Sequence, residues 1–279
     1  MDSSQACPVA RHERLILVTD GSIFSEGAIQ EALSFATKCS GKLYVISVLE
    51  TNPGYETISS SVFKKEEAEI LAHLASIKSK AVDQGLRCET IFYKGGEPHR
   101  IIVEEAAERH IDMIVIGRRG RKGLAKLLMG EEAAKVIGNA PCKVLVVPKS
   151  ARIGYRNILI ATDGSKHSEA AANEAVNIAK RCGSSITVVS VCPSESELQE
   201  AKAHVHKIDE LAQRNDIPVE TLTPVGRPYD VIAEIAGGRG VDLIVMGAYG
   251  KTGLKKLLMG SSTEKVIGLA GCAVLVVNS

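Results

Sequence analysis

The sequence contains no tryptophan and only 4% aromatic residues. That scarcity disfavours readers of single-stranded nucleic acid, which stack bases on aromatic rings. A strong charge of either sign is also missing: the net charge is +1 and the isoelectric point about 7.6. No global field would therefore steer the protein to nucleic acid or to an anionic membrane. No apolar run approaches the roughly 18 residues needed to span a bilayer. Met1 to Glu13 hold no apolar segment followed by a small-residue cleavage site, so they do not read as a signal peptide. The expectation is a cytoplasmic protein with a small ligand or a protein partner, and with neither nucleic acid nor membrane. Seven cysteines occur without any C-x-x-C pair. They read as small hydrophobes in a reducing compartment rather than as a disulfide framework. Two phosphate-binding signatures are absent as well, G-x4-G-K-[S/T] and a G-x-G-x-x-G after the first strand. No histidine lies near a glycine loop in sequence, so no Ser–His–Asp or Cys–His arrangement can be argued.

What is present is a duplication. At 279 residues the chain has the length of about two domains, and Leu17-Val-Thr-Asp-Gly-Ser22 recurs as Ile160-Ala-Thr-Asp-Gly-Ser165 at a shift of 143. Gly117, Gly120 and Gly130 recur as Gly247, Gly250 and Gly260 at a shift of 130, which makes the second copy 13 residues shorter. The missing stretch corresponds to Asn52–Ser61, which reads as an exposed loop. The copies are expected at residues 14–149 and 156–278, with Lys149 to Tyr155 as the junction. Within each, short β-branched apolar runs alternate with helical patterns, the signature of βαβ units and a parallel sheet. In the second copy strands are expected near Asn157–Thr162, Ile186–Val191, Val219–Thr223, Asp242–Gly247 and Ala273–Val277, a first helix at Ser168–Cys182, and a later one at Pro228–Gly237.

Three features of the second copy converge on one place. The turn Thr162-Asp163-Gly164-Ser165 follows the first strand, at the carboxyl edge where doubly wound sheets bind ligands; read without a ligand, Asp163 or Ser165 is a helix N-cap. Gly247-Ala-Tyr-Gly250 follows the fourth strand and precedes Gly260-Ser261-Ser262 at the head of a helix. Glycines there let amides approach phosphate oxygens, and a helix N-terminus adds donors; either serine also reads as an N-cap. The end of the second strand offers main-chain groups and Val191 to an adenine ring, or Val191 simply packs in the core. His204-x-His206 lies in a helical pattern with its rings on different faces, which reads as a surface helix rather than a metal site.

The spacing Gly247-x2-Gly250-x9-Gly260-Ser261, the strand-one Asp and the late Cys-x-Val-Leu-Val-Val strand of both copies resemble the universal stress protein family, over about Arg14 to Val277. The resemblance implies two tandem α/β domains, each a doubly wound five-stranded parallel sheet in the order 3-2-1-4-5. It implies an adenine nucleotide (ATP, or ADP or AMP) in the second. Asp163 and Val191 would meet adenine, Gly247 and Gly250 the ribose and phosphates, and Gly260, Ser261 and Ser262 the phosphates. Thr162, Gly164 and Met246 complete the expected set, and Asp163 is the candidate ligand for a Mg2+ ion on the phosphates. The family's last strands pair across a dimer, so the two copies are expected to form a pseudo-dimer within one chain; a homodimer of chains is left open.

The first copy departs from the motif, with Glu131 and Glu132 in place of the two serines. Carboxylates there repel phosphate, and Arg118, Arg119 and Arg121 are expected either to offset that charge or to pair with the glutamates. The leading function is an ATP-binding regulatory protein with an unknown protein partner. A slow ATPase and a ligand-free interaction scaffold are the alternatives.

Overall fold

The computed structural model describes residues 7–8, 13–51, 60–119, 129–250 and 259–278, the side chains at 60 and 61 excepted. The first half runs β1 (Arg14–Val18), α1 (Glu26–Cys39), β2 (Lys42–Glu50), α2 (Ser60–Asp83), β3 (Arg87–Gly95), α3 (Pro98–Glu108), β4 (Met113–Gly117), α4 (Glu131–Asn139) and β5 (Lys143–Val147). The second runs β6 (Asn157–Ala161), α5 (Lys166–Cys182), β7 (Ser185–Val189), α6 (Leu198–Gln213), β8 (Val219–Leu222), α7 (Pro228–Gly238), β9 (Leu243–Gly247), α8 (Ser261–Leu269) and β10 (Ala273–Val277).

Strands such as β4, β9 and β10 are buried at every position, as their unbroken apolar runs require when helices cover both faces. Their order is β3-β2-β1-β4-β5-β10-β9-β6-β7-β8. Each half is thus a parallel sheet in the expected 3-2-1-4-5 order. The two outer strands β5 and β10 pair antiparallel, Leu145 opposite Leu275. One ten-stranded sheet results, and pairing these apolar edges with each other removes them from solvent. On each face one apolar layer runs through both halves, the first including Leu17 and Leu275, the second Ile16 and Val276.

Three expectations are corrected. Ser60 and Ser61, read as loop, open α2, while 52–59 lie outside the described residues. The strand at Ile186–Val191 ends at Val189, and only an isolated bridge from Cys192 to Val225 prolongs it. Cys7 and Cys39, taken as isolated small hydrophobes, are joined by a disulfide that ties the segment before β1 to the end of α1. A sequence separation of 32 concealed that adjacency. The other cysteines are free, Cys182 and Cys192 buried and Cys88, Cys142 and Cys272 half-buried. Among the described residues no helix is long and apolar enough to cross a membrane.

The junction is not a loose tether. Ala151, Ile153 and Tyr155 are buried, and the Ile153 amide donates to the Glu31 carboxylate of α1 at 3.2 Å. Burial pushes the Glu31 carboxyl above its ordinary 4.5, against the hydrogen bond from Ile153. A carboxyl harder to ionise folded than unfolded stabilises in full below the unfolded value and loses that contribution as pH rises through the folded one. Urea titrations of wild type and Glu31→Gln should therefore show the wild type's relative stability declining upward from pH 4.5 and then levelling. A pH-independent difference would contradict this.

Candidate functional site

A cavity of about 420 Å³ opens at the carboxyl edge of the second half's sheet, within the ~300–1,000 Å³ typical of small-molecule sites. It lies where β6 and β9 adjoin while their following helices diverge, the switch point of a doubly wound sheet. Thr162, Asp163, Val191, Met246, Gly247, Gly250, Gly260, Ser261 and Ser262 all line it. Gly164 does not. It holds φ at +75°, and a Cβ there would come within 2.3 Å of the His204 ring.

The turn after β6 is built locally. Asp163 Oδ1 accepts the Ser165 amide at 3.0 Å, and Ser165 Oγ caps α5 by accepting the Ser168 amide at 3.2 Å. The first half repeats the Asp contact through Asp20 and Ser22, while Ser22 Oγ accepts the amide of Phe24, one position earlier than its counterpart; the capping reading of Ser165 holds and the turn itself needs no ligand. It also sets Asp163 Oδ2 2.6 Å from where a Gly250 Cβ would stand. The remaining loop glycines serve packing in the same way. A Cβ on Gly247 would meet the His167 backbone at 2.7 Å, and one on Gly260 the Ala248 carbonyl at 3.2 Å. The Gly260 amide is already bonded to Ala248 O at 2.9 Å, which removes it from the donors expected for phosphate. Thr263 Oγ1 donates to Gly247 O at 3.0 Å and fastens α8 to β9.

Two helix N-termini meet this cavity, α7 through Pro228 and α8 through Ser261 and Ser262. Neither N-cap, Arg227 or Gly260, makes a side-chain cap. First-turn amides have no intrahelical acceptor and carry the positive end of the helix dipole. Beyond β7, the Ser190 and Cys192 amides donate to Leu222 O and Pro224 O on the β8 side. Alternation along an extended chain turns the Val191 main chain the other way, toward β6, which has ended at Ala161.

The reading of His204-x-His206 is corrected in part. His206 is 69% exposed, but His204 is only 14% exposed and lines the cavity, its Nδ1 3.4 Å from Ser190 Oγ. The signal was available: Ala201, Val205, Ile208 and Ala212 form the buried stripe of α6, and His204 stands beside it. Glu197 and Glu200 also line this end. His167, remote from the loop in sequence, packs its ring on Tyr249 with centroids 5.4 Å apart.

The matching place in the first half is arranged differently. Glu132 folds onto the N-terminus of α3, where its Oε2 accepts the His99 amide at 3.1 Å. Lys135 pairs with Glu131 at 2.7 Å and Glu132 at 3.3 Å, and this pairing holds the Glu131 carboxyl below its ordinary range. Arg118 does not pair with the glutamates; its Nη1 donates to Ala270 O at 2.7 Å, at the end of α8. Gly120 and Arg121 lie outside the described residues.

Comparison with known proteins follows the same division. The family model described as universal stress protein family matches residues 12–148 and again 154–278. Universal stress protein MJ0531 of Methanocaldococcus jannaschii is 39% identical over 140 residues, 44% of this chain and 82% of that protein. Universal stress protein YxiE of Bacillus subtilis is 30% identical over 145 residues, 48% of this chain and 97% of that one. The crystal structure of a universal stress protein from Archaeoglobus fulgidus superposes with a TM-score of 0.74 at 22% identity, covering 96% of this chain and 99% of that chain, a likeness of fold. With two matches that together span nearly its whole length, the chain belongs to the universal stress protein family.

Proposed function

We propose that the second half holds an adenine nucleotide, ATP or its ADP or AMP forms, and that the chain acts in a stress response as a regulatory protein whose surface depends on that occupancy. The observation that carries this reading is Glu132. In the first half a carboxylate of the chain sits on a helix N-terminal amide; at the repeat-related position of the second half stands the neutral Ser262, facing a cavity. An anion position filled internally in one copy is left to a ligand in the other. Phosphates fit there, opposite the α7 and α8 N-termini and the Ser261 and Ser262 hydroxyls. The wall lined by Glu197 and Glu200 repels phosphate and suits the amino group of adenine, with Val191 against the ring and Asp163 between that wall and the Gly250 loop.

Among the described residues no group of three or more His, Cys, Asp or Glu is placed to hold a metal. A Mg2+ ion would therefore be shared between Asp163 and the phosphates. Residues 14–149 and 156–278 serve as the two units, and the β5–β10 pairing supports treating them as a pseudo-dimer; the regulatory role calls in addition for a protein partner outside the chain.

Calorimetry with ATP, and mass spectrometry of small molecules released from the purified protein, test the reading. Wild type should bind and retain adenine nucleotide. Ser262→Glu, which puts a carboxylate at the position matching Glu132, should weaken binding by tenfold or more, roughly 1.4 kcal/mol. Equal nucleotide content in the two proteins would overturn the assignment.

A further inference from the structure

Each half caps a helix of the other, and the caps differ. Tyr249 lines the cavity and also ends on the first half, its hydroxyl donating to Gly138 O of α4 at 2.8 Å. Asn278 Nδ2 adds bonds to Ala140 O and Cys142 O, both at 3.0 Å, just beyond α4. In the other direction Arg118 Nη1 reaches Ala270 O at 2.7 Å and Gly268 O at 3.2 Å. It thereby holds the C-terminal end of α8, whose first turn lines the cavity. These last-turn carbonyls have no intrahelical donor, so a cationic or hydroxyl donor there is favourable. The repeat places Ala248 opposite Arg118 and Arg119 opposite Tyr249, so two identical copies could not make this pair of contacts.

We infer that these crossed caps couple occupancy of the second half's cavity to α4 of the first half; the inference rests on the nucleotide reading above. The Gly247–Gly250 loop and the α8 N-terminus are already joined by the Gly260–Ala248 and Thr263–Gly247 hydrogen bonds, so a ligand held against them acts on Tyr249 and α8 as one unit. Both of its far contacts lie on the other half. α4 carries Glu131, Glu132 and Lys135, and Glu132 is bonded to α3, so a shift of α4 alters how α4 and α3 present themselves to a partner. The first copy's site has in this sense become the readout of the second.

Hydrogen exchange on the full chain, without and with saturating ATP and Mg2+, tests the coupling, with saturation verified for each protein by calorimetry. In wild type ATP should slow exchange of α4 amides by about threefold or more. In Tyr249→Phe, which removes only the hydroxyl, α4 should exchange faster without ligand and lose the ATP response at saturation. Arg118→Leu, remote from the cavity wall, should weaken ATP binding by about fivefold, because coupling is reciprocal. Absence of ATP binding to wild type would sink the nucleotide reading. Saturated ATP binding with α4 exchange unchanged, an intact α4 response in Tyr249→Phe, or full affinity in Arg118→Leu would each overturn the coupling while leaving that reading standing.

Discussion

Lys143→Met is expected to cost about 3–5 kcal/mol of folding stability, read as a lower urea midpoint at an unchanged slope. Lys143 opens β5 beside the seam of the two halves, and its ammonium lies 2.7 Å from Glu13 Oε1 and 2.8 Å from Glu174 Oε1 of α5. Its side chain is 14% exposed, that of Glu13 11% and that of Glu174 24%. Burial alone would lower the Lys143 pKa, but the two carboxylates outweigh it and hold the ammonium above its ordinary value. Burial raises Glu13, whose second oxygen has no hydrogen-bond partner. Removing the cation leaves two carboxylates facing each other in a desolvated place, the costly way to break a buried ion cluster. Neutralising all three, with Glu13→Gln and Glu174→Gln added, should recover most of the loss, since the cluster as a whole contributes little net stability. A single variant within 1 kcal/mol of wild type would show that the cluster is better hydrated than its burial implies.

The second large effect concerns the ligand. Gly250→Val should reduce ATP affinity about 100-fold, ~2.7 kcal/mol, with circular dichroism and folding midpoint close to wild type. Even an alanine Cβ would stand 2.6 Å from Asp163 Oδ2, so the added branches must push Asp163 from the cavity wall or the loop away from it. Gly271→Ala is the control: a Cβ there meets nothing within 4 Å, and binding should not change. Wild-type affinity in Gly250→Val would mean that neither the loop nor Asp163 touches the ligand.

Local pattern made much of this architecture legible. The duplication follows from recurring motifs and the second-half strands from apolar runs buried on both faces, whose length and spacing survive in sequence, whereas the strand order came only with the family resemblance. Part of the cavity wall was legible for a related reason, because those residues cluster where strands end in glycine or hydroxyl residues. The misses have a common cause. His204 was assigned by helical spacing alone, which separates it from His206 but does not say which of the two faces inward. Gly260 was assigned to a ligand although its amide was bound for Ala248 O. The disulfide between Cys7 and Cys39 joins residues that no short pattern connects.

By itself, then, the sequence determined a repeated α/β unit and the contrast of Glu131 and Glu132 in one copy with Ser261 and Ser262 in the other, because period, spacing and residue chemistry are properties of neighbours along the chain. Only the tertiary structure decided that Glu132 occupies a helix N-terminus, that Arg118 and Tyr249 cap helices in opposite halves, and that Lys143 is clasped by Glu13 and Glu174. Each of those contacts joins segments distant along the chain or drawn from different elements. Their hydrogen bonds and ion pairs exist only once the β5–β10 seam and the helix layers have brought the partners within about 3 Å.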